Sequence, residues 1–511
     1  MKNTLCHPMP HCERAQIERC RPQRQPRHSL RELSLTAGTA LLAVLASAVL
    51  LVGCATPSAA PPNPALAQAS ELGAGAGTTP WPDARWWGRY GDTTLDRLVD
   101  QALASQPSLH VVQARVRVAD AAVRATDAAR APQAAFSADA VYQRFNENGI
   151  YPPPLAGSTR WTANAQAGVN WELDLFGRQR AALDSTIGQW RATQADAQAA
   201  RVLLAANVAG TYFNLARLVE ARAVSVDALQ QREQVVGIVR QRISAGLDTQ
   251  VDLKQAEGLV AQSKVEIESL GEAIDRTRHA LAELVGVGPN TFDALAPAMA
   301  PIASTALPER LPADLLGRRA DLVAQRWRVE AALRDTEVAR AQFYPNVNLT
   351  AFIGLSSLGL NRLFDSGSLV YGAGPALHLP LFDAGRLQAN LDARRADVDA
   401  SIEAYNGALQ RALREVADEL TGLRAIERQQ VAQRDATAAA NAAYDLAVQR
   451  YRAGLGNFLV VLAAQTNVLT QRLADTDLKA RHLASEVALV RALGGGFDAG
   501  AELPQHTAAV R

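Results

Sequence analysis

From Trp161 to Leu175 the odd positions are all apolar (Trp, Ala, Ala, Ala, Val, Trp, Leu, Leu), and the even ones are polar or Gly (Thr, Asn, Gln, Gly, Asn, Glu, Asp). Side chains alternate across a strand, so this unbroken period of two predicts a strand with one apolar and one polar face. Phe136, Ala138, Ala140 and Tyr142, interleaved with Ser137, Asp139 and Gln143, predict a partner strand. The two strands, at about 134–144 and 161–175, are separated by Asn146-Glu147-Asn148-Gly149 and Pro152-Pro153-Pro154, which suit a loop tip. A helical period precedes them from Thr94 to about Arg130, after Trp86-Trp87-Gly88-Arg89-Tyr90-Gly91-Asp92.

A different period follows. Gly177 to Ser244 lacks Pro, is rich in Ala and Gln, and carries Val226, Leu229, Val236, Val239 and Ile243 at heptad-like spacing. One helix of that length reaches roughly 100 Å at 1.5 Å per residue. Ala245-Gly246-Leu247 reverses the chain, and Ile267, Leu270, Ile274, Leu281 and Leu284 mark the seam of a return helix. Hairpin 177–286 is thus an antiparallel coiled coil.

The whole order then repeats. A helix at about 319–342 leads through Phe343-Tyr344-Pro345 to a third strand, about 346–356, with Val347, Leu349, Ala351, Ile353 and Leu355 alternating. A fourth strand, about 369–381, alternates Leu369, Tyr371, Ala373, Leu377 and Leu379. Hairpin 385–493 carries Leu409, Leu413, Val416, Leu420 and Leu423 on one seam and turns at Ala453-Gly454-Leu455. Gln241-Arg242 and Ala245-Gly246-Leu247 recur 208 residues later as Gln449-Arg450 and Ala453-Gly454-Leu455.

Composition fits close-packed helices. Only 5% of the 511 residues are aromatic, and Ala is abundant. The net charge of +1 gives no electrostatic case for nucleic acid. All four cysteines, Cys6, Cys12, Cys20 and Cys54, lie in the first 54 residues, so the body of the chain has neither a disulfide framework nor a catalytic thiol. No HExxH, P-loop, GxSxG or clustered metal-ligand pattern follows, and His110, His279, His378 and His482 are scattered, so neither an enzyme nor a metal site is expected. Cys6-His7, His11-Cys12 and Cys20 fit no regular zinc spacing; a translation start placed too far upstream accounts for them better.

Arg24, Arg27 and Arg31 precede an apolar run from Leu33 to Val52 that ends in Leu51-Val52-Gly53-Cys54. A charged stretch, an apolar stretch and small residues before a Cys resemble a bacterial lipobox, whereas the apolar run alone is also long enough for a transmembrane helix. The lipobox resemblance implies cleavage before Cys54, an N-acyl group and an S-diacylglycerol there, and, with Ala55 next, an outer-membrane destination. Each buried methylene of such chains contributes about 0.8 kcal/mol, so several chains anchor firmly. The expected organisation is a signal segment at 1–53, a lipidated flexible tether at 54–80, a first repeat at 81–292, a Pro-rich connection at 293–318, a second repeat at 319–493 and a tail at 494–511.

Four strands cannot close a barrel, and an open sheet exposes two unpaired edges. Either the chain oligomerises, three copies giving twelve strands, or its sheet packs on something else as in a soluble protein. With the lipobox, the expected fold class is an α+β membrane channel. In it, Trp161, Val169, Trp171 and Leu173 face lipid, Asn164, Gln166, Asn170, Glu172 and Asp174 face a wet lumen, and the strands continue into coiled-coil hairpins.

Five segments in order resemble one known family: Trp171-Glu172-Leu173-Asp174-Leu175-Phe176-Gly177-Arg178; Arg318-Arg319-Ala320-Asp321-Leu322, where the family usually has Pro in place of Ala320; Phe343-Tyr344-Pro345; Leu379-Pro380-Leu381-Phe382-Asp383; and Gln449-Arg450-Tyr451-Arg452-Ala453-Gly454. Together with the duplication and the lipobox they resemble the outer-membrane factors of bacterial tripartite efflux, in the branch of NodT-type lipoproteins. The resemblance implies a homotrimer with a twelve-stranded barrel and a twelve-helix periplasmic tunnel. It also implies a periplasmic adaptor and an inner-membrane RND pump as partners, and passive export of drugs or other small molecules. Adaptor contact would fall on Ala245, Gly246, Leu247, Ala453, Gly454 and Leu455. Tyr451 matches a tyrosine that helps hold the closed tip in relatives, and Arg450, Arg452, Asp248 and Asp252 are the further gate candidates. The acidic residues that often follow the second turn are replaced here by Gly456, Val460 and Ala463. Two other readings compete: a duct serving type I protein secretion, and a lipid-anchored periplasmic coiled-coil scaffold without a pore.

Overall fold

The computed structural model describes residues 57–59, 62–69, 81–299 and 318–499. The expected signal segment and Cys54, much of the Pro-rich connection and the end of the tail lie outside the described residues. The described chain runs through α1 (Thr93–Ser105), α2 (Pro107–Ala128), β1 (Gln133–Arg144), β2 (Thr159–Leu173), α3 (Arg178–Ser244) and α4 (Gln250–Val285). It continues through α5 (Ala320–Ala341), β3 (Asn346–Leu358), β4 (Leu369–His378), α6 (Arg386–Arg452) and α7 (Phe458–Ala492).

The helix expected from Thr94 to Arg130 is two helices. Pro107 has no N–H to donate to the previous turn, so α1 stops at Ser105 and Pro107 opens α2. Asp92 caps α1, its carboxylate accepting from the backbone N–H of Thr94 and Leu95.

The four strands form one antiparallel sheet in the order β1-β2-β3-β4, with both outer edges unpaired in the chain. β2 ends at Leu173, not Leu175, because Asp174 turns to the helix behind it and accepts from the N–H groups of Gln179 and Arg180 at 3.1 and 2.9 Å. Asp383 does the same before α6, accepting from Gly385 and Leu387 at 3.1 and 2.7 Å. A carboxylate on the free N–H groups of a helix start is favourable. β4 ends at His378 ahead of Pro380, and is the outermost strand within the chain.

α3 packs on α1, α2, α4, α5 and α7, and α6 on α5 and α7. One core joins Leu95, Val99, Tyr212, Phe213, Leu215, Leu281, Leu483 and Val487, and a second joins Val398, Leu409, Val416, Leu423 and Leu489. Each such side chain, fully buried, contributes roughly 1.5–3 kcal/mol. The buried positions of α3 from Ala221 to Val239 are Ala221, Ser225, Ala228, Arg232, Val235, Val236 and Val239, so the expected Val236 and Val239 are on the seam, while at Val226 and Leu229 it is displaced by one residue. Small residues there let the helices approach closely.

Two terminal segments differ from expectation. Within the expected flexible tether, residues 57–59 and 62–69 lie along α6. Arg395 donates to Ser58 Oγ and to the Ser58 carbonyl at 3.0 and 2.6 Å, and Asn406 bonds the backbone of Ala65 and Ala67. Ala69, 2% exposed, joins the second core. At the other end, Gly494, Gly495 and Gly496 all have positive φ, and a Cβ on them would strike Arg318, Val202 and Asp83. Only glycine fits that path, which buries Phe497 against Ala195, Ala320 and Ala324. The expected tail therefore begins as part of the packed body.

Candidate functional site

Both hairpin reversals are built the same way. Gly246 (φ 69) and Gly454 (φ 78) adopt the left-handed conformation just past the helix end. Leu247 N–H then donates to the Arg242 carbonyl, and Leu455 N–H to the Arg450 carbonyl, each at 2.9 Å. This is a Schellman stop, which satisfies carbonyls the helix leaves free. The return helices are capped by Thr249, reciprocally with Asp252, and by Asn457. Leu247 and Leu455 are left 62% and 71% exposed, with Val251 and Leu459 exposed one turn on.

The two tips touch through a cluster of three side chains. Arg242 Nε donates to Asp248 Oδ2 at 3.0 Å, and Arg242 Nη1 donates to the Tyr451 carbonyl at 2.8 Å. The Tyr451 hydroxyl donates to the same Asp248 oxygen. The Arg242 guanidinium also lies 4.5 Å from the centre of the Tyr451 ring. Tyr451 is fully buried, and the Arg242 and Asp248 side chains are only 12% and 8% exposed. Val235, Val236, Val239, Ala256, Ala447, Phe458 and Val461 pack around the cluster. Burial, then the bond to Asp248, pushes the Tyr451 hydroxyl well above its ordinary pKa, so it stays a donor. The bond to Asp248 raises the Arg242 guanidinium.

The structure thus brings Tyr451 and Asp248 together and leaves the other tip candidates apart. Asp252 serves the α4 cap, and the Thr249 hydroxyl and N–H hold its carboxyl below the usual carboxylate range. Arg450 and Arg452 are exposed, with no ion pair among the described residues. Arg242 is the participant the sequence reading missed. Its signal was a break in the repeat: the residue six beyond Arg242 is Asp248, whereas six beyond Arg450 stands Gly456.

At the other end of the hairpins the strand-to-helix corners are also fixed. Arg178 grips Glu172 with Nε at 3.0 Å and Nη2 at 2.6 Å. Phe176 stacks on Tyr344 with ring centres 4.9 Å apart, joining the corner of the first repeat to that of the second. On the polar sheet face Asn164 bonds both Asp139 and Ser356 across neighbouring strands. Among the described residues no group of three or more His, Cys, Asp or Glu is placed to hold a metal ion.

Known proteins share this fold. The family model described as outer membrane efflux protein matches residues 98–287 and 311–495, which correspond to the two repeats. The chain is 37% identical over 375 residues to the fusaric acid resistance protein FusA of Burkholderia cepacia, covering 71% of this chain and 70% of that one. It is 32% identical over 434 residues to the multidrug resistance outer membrane protein MdtP of Escherichia coli, covering 82% and 88%. Its fold matches the crystal structure of the outer membrane protein VceC of Vibrio cholerae with a TM-score of 0.77 at 34% identity, over 82% of this chain and all of that one. The sheet and hairpins are therefore those of an outer-membrane channel that extends into the periplasm, and the chain belongs to the outer membrane efflux protein family, as the outer-membrane duct of an efflux system.

Proposed function

We propose that three copies of the chain close their sheets into one twelve-stranded barrel continued by a twelve-helix tunnel, and that this trimer carries small organic molecules passively outward. A periplasmic adaptor would grip the exposed Leu247 and Leu455 turns, and an inner-membrane RND pump would drive the cargo. Cys54, acylated after signal cleavage, would add a lipid anchor. The observation that carries this reading is the open edge of β1 and of β4 on a four-stranded sheet whose one face is apolar and exposed. Unpaired strand edges are not tolerated in hydrocarbon, and closure with further copies satisfies them. The names of FusA and MdtP, which refer to fusaric acid and multidrug resistance, favour antimicrobial cargo over secreted protein. Within the trimer the Arg242–Asp248–Tyr451 cluster would tie the two hairpins of each chain and hold the tunnel end narrow.

The test is drug, dye and detergent susceptibility of a deletion strain. Hypersensitivity rescued by the wild-type gene is expected, with partial rescue by Cys54→Ala, since the barrel holds the membrane without the lipid. Unchanged susceptibility to every compound would remove efflux as the function.

A further inference from the structure

Six aromatic side chains lie on the four strands, and five of them, Phe136, Tyr142, Trp161, Trp171 and Tyr371, fall on the apolar face by register. The sixth, Phe352, falls on the opposite face, among Asn164, Gln166, Asn170, Thr350 and Ser356. It stands at the middle of β3, and its cross-strand neighbours on both sides are glycines, Gly168 on β2 and Gly372 on β4. The ring folds over Gly372: a Cβ there would lie 2.8 Å from Phe352 Cε1 and 2.9 Å from Cζ. Phe352 keeps 40% of its surface exposed.

Gly weakens a strand interior, and its presence marks a place where something approaches the backbone closely. Here Gly372 clears the space that the Phe352 ring occupies, and Gly168 leaves the other side of Phe352 without a side chain. Phe352 is the one aromatic side chain that the four strands place on the polar face, and its ring is partly exposed there.

We propose that Phe352 is a cargo-contact residue inside the barrel, recognising aromatic and lipophilic-cation compounds. This rests on the trimeric barrel proposed above. Twelve strands about 4.8 Å apart and tilted roughly 40° close a cylinder about 24 Å across between backbones. Three symmetry-related rings at one depth then form an apolar girdle at mid-barrel, while the space over Gly372 keeps them against the wall and the path open. The exposed ring faces offer stacking to aromatic cargo and cation–π attraction to cationic cargo. Polar solutes pass between the rings.

The test uses the full-length protein in planar bilayers, in an Asp248→Ala background that loosens the tips, with tetraphenylphosphonium as probe. The probe is expected to block the channel, with a half-blocking concentration about five-fold higher in Phe352→Ala. Phe352→Trp should keep the block. Gly372→Ala should push the ring out of that space and lower single-channel conductance. A ring that serves only to cover Gly372 would change melting temperature and leave the block unaltered. Equal half-blocking concentrations in the parent and Phe352→Ala channels overturn the proposal. Failure of every variant, the parent included, to form channels overturns the trimeric duct instead.

Discussion

The two hairpin tips descend from one repeated segment and share their turn, yet they contribute different chemistry. The first supplies a cation and an anion, Arg242 and Asp248; the second supplies an aromatic hydroxyl, Tyr451. At the matching positions the first tip has Ile243 where the second has Tyr451, and the second has Gly456 where the first has Asp248. Duplication provides two equal reversals, each with an exposed leucine. Divergence at a few positions makes the tips complementary, so that they bind each other and not solvent. Only contact between unlike tips gives the cluster a strength that an exposed ion pair lacks.

Breaking the shared acceptor should have the largest effect. Asp248→Ala leaves the Arg242 charge and the Tyr451 hydroxyl without their common partner, so the tip should lose about 2 kcal/mol of local stability. Hydrogen exchange of backbone amides in 447–461 should accelerate roughly 30-fold, and channel conductance should rise. Tyr451→Phe removes one hydrogen bond but keeps the ring over Arg242, so about 1 kcal/mol is expected in the same exchange experiment.

The pH response is smaller and has two limbs. Tyr451 is raised in the folded state, so its contribution is whole below its unfolded pKa, about 10, and is lost as pH climbs above that value. Asp252 is lowered, so its contribution is present above about pH 4 and disappears as pH falls through its folded value. Protection of the tip amides, taken as exchange corrected for its intrinsic pH dependence, should therefore be flat at neutral pH and fall toward both extremes, and Asp252→Asn should weaken the acid limb alone.

The smallest effect sharpens the comparison by mirroring it. Gly456→Asp places an acid six residues beyond Arg450, as Asp248 stands beyond Arg242. A Cβ at Gly456 meets nothing nearer than 3.6 Å, so the change is sterically open. The new pair is exposed and should change thermal stability by no more than about 0.5 kcal/mol. A gain as large as the loss in Asp248→Ala would show that the partner hairpin contributes little.

Much of this was legible in the sequence because it is periodic. The period of two in 161–175, the apolar seam from Leu409 to Leu423 and the recurrence of Ala-Gly-Leu needed no tertiary information. What stayed hidden depends on residues distant in sequence. Arg242 reads as a solvated helix charge until Tyr451, 209 residues away, comes beside it. Residues 57–59 and 62–69 read as part of a flexible Ala- and Pro-rich tether because the partners of Ser58, Ala65 and Ala67, which are Arg395 and Asn406, lie more than 330 residues on. Phe352 is set apart only by the register, which puts it between Gly168 and Gly372 on the face opposite Leu349, Ala351 and Ile353.

The most direct test of the account is the mass of the purified full-length protein by native mass spectrometry from detergent, followed by conductance of the same sample in a planar bilayer. The account predicts a complex of three chains that conducts ions. A single chain, or an assembly of any size that does not conduct even with Asp248→Ala, would contradict it.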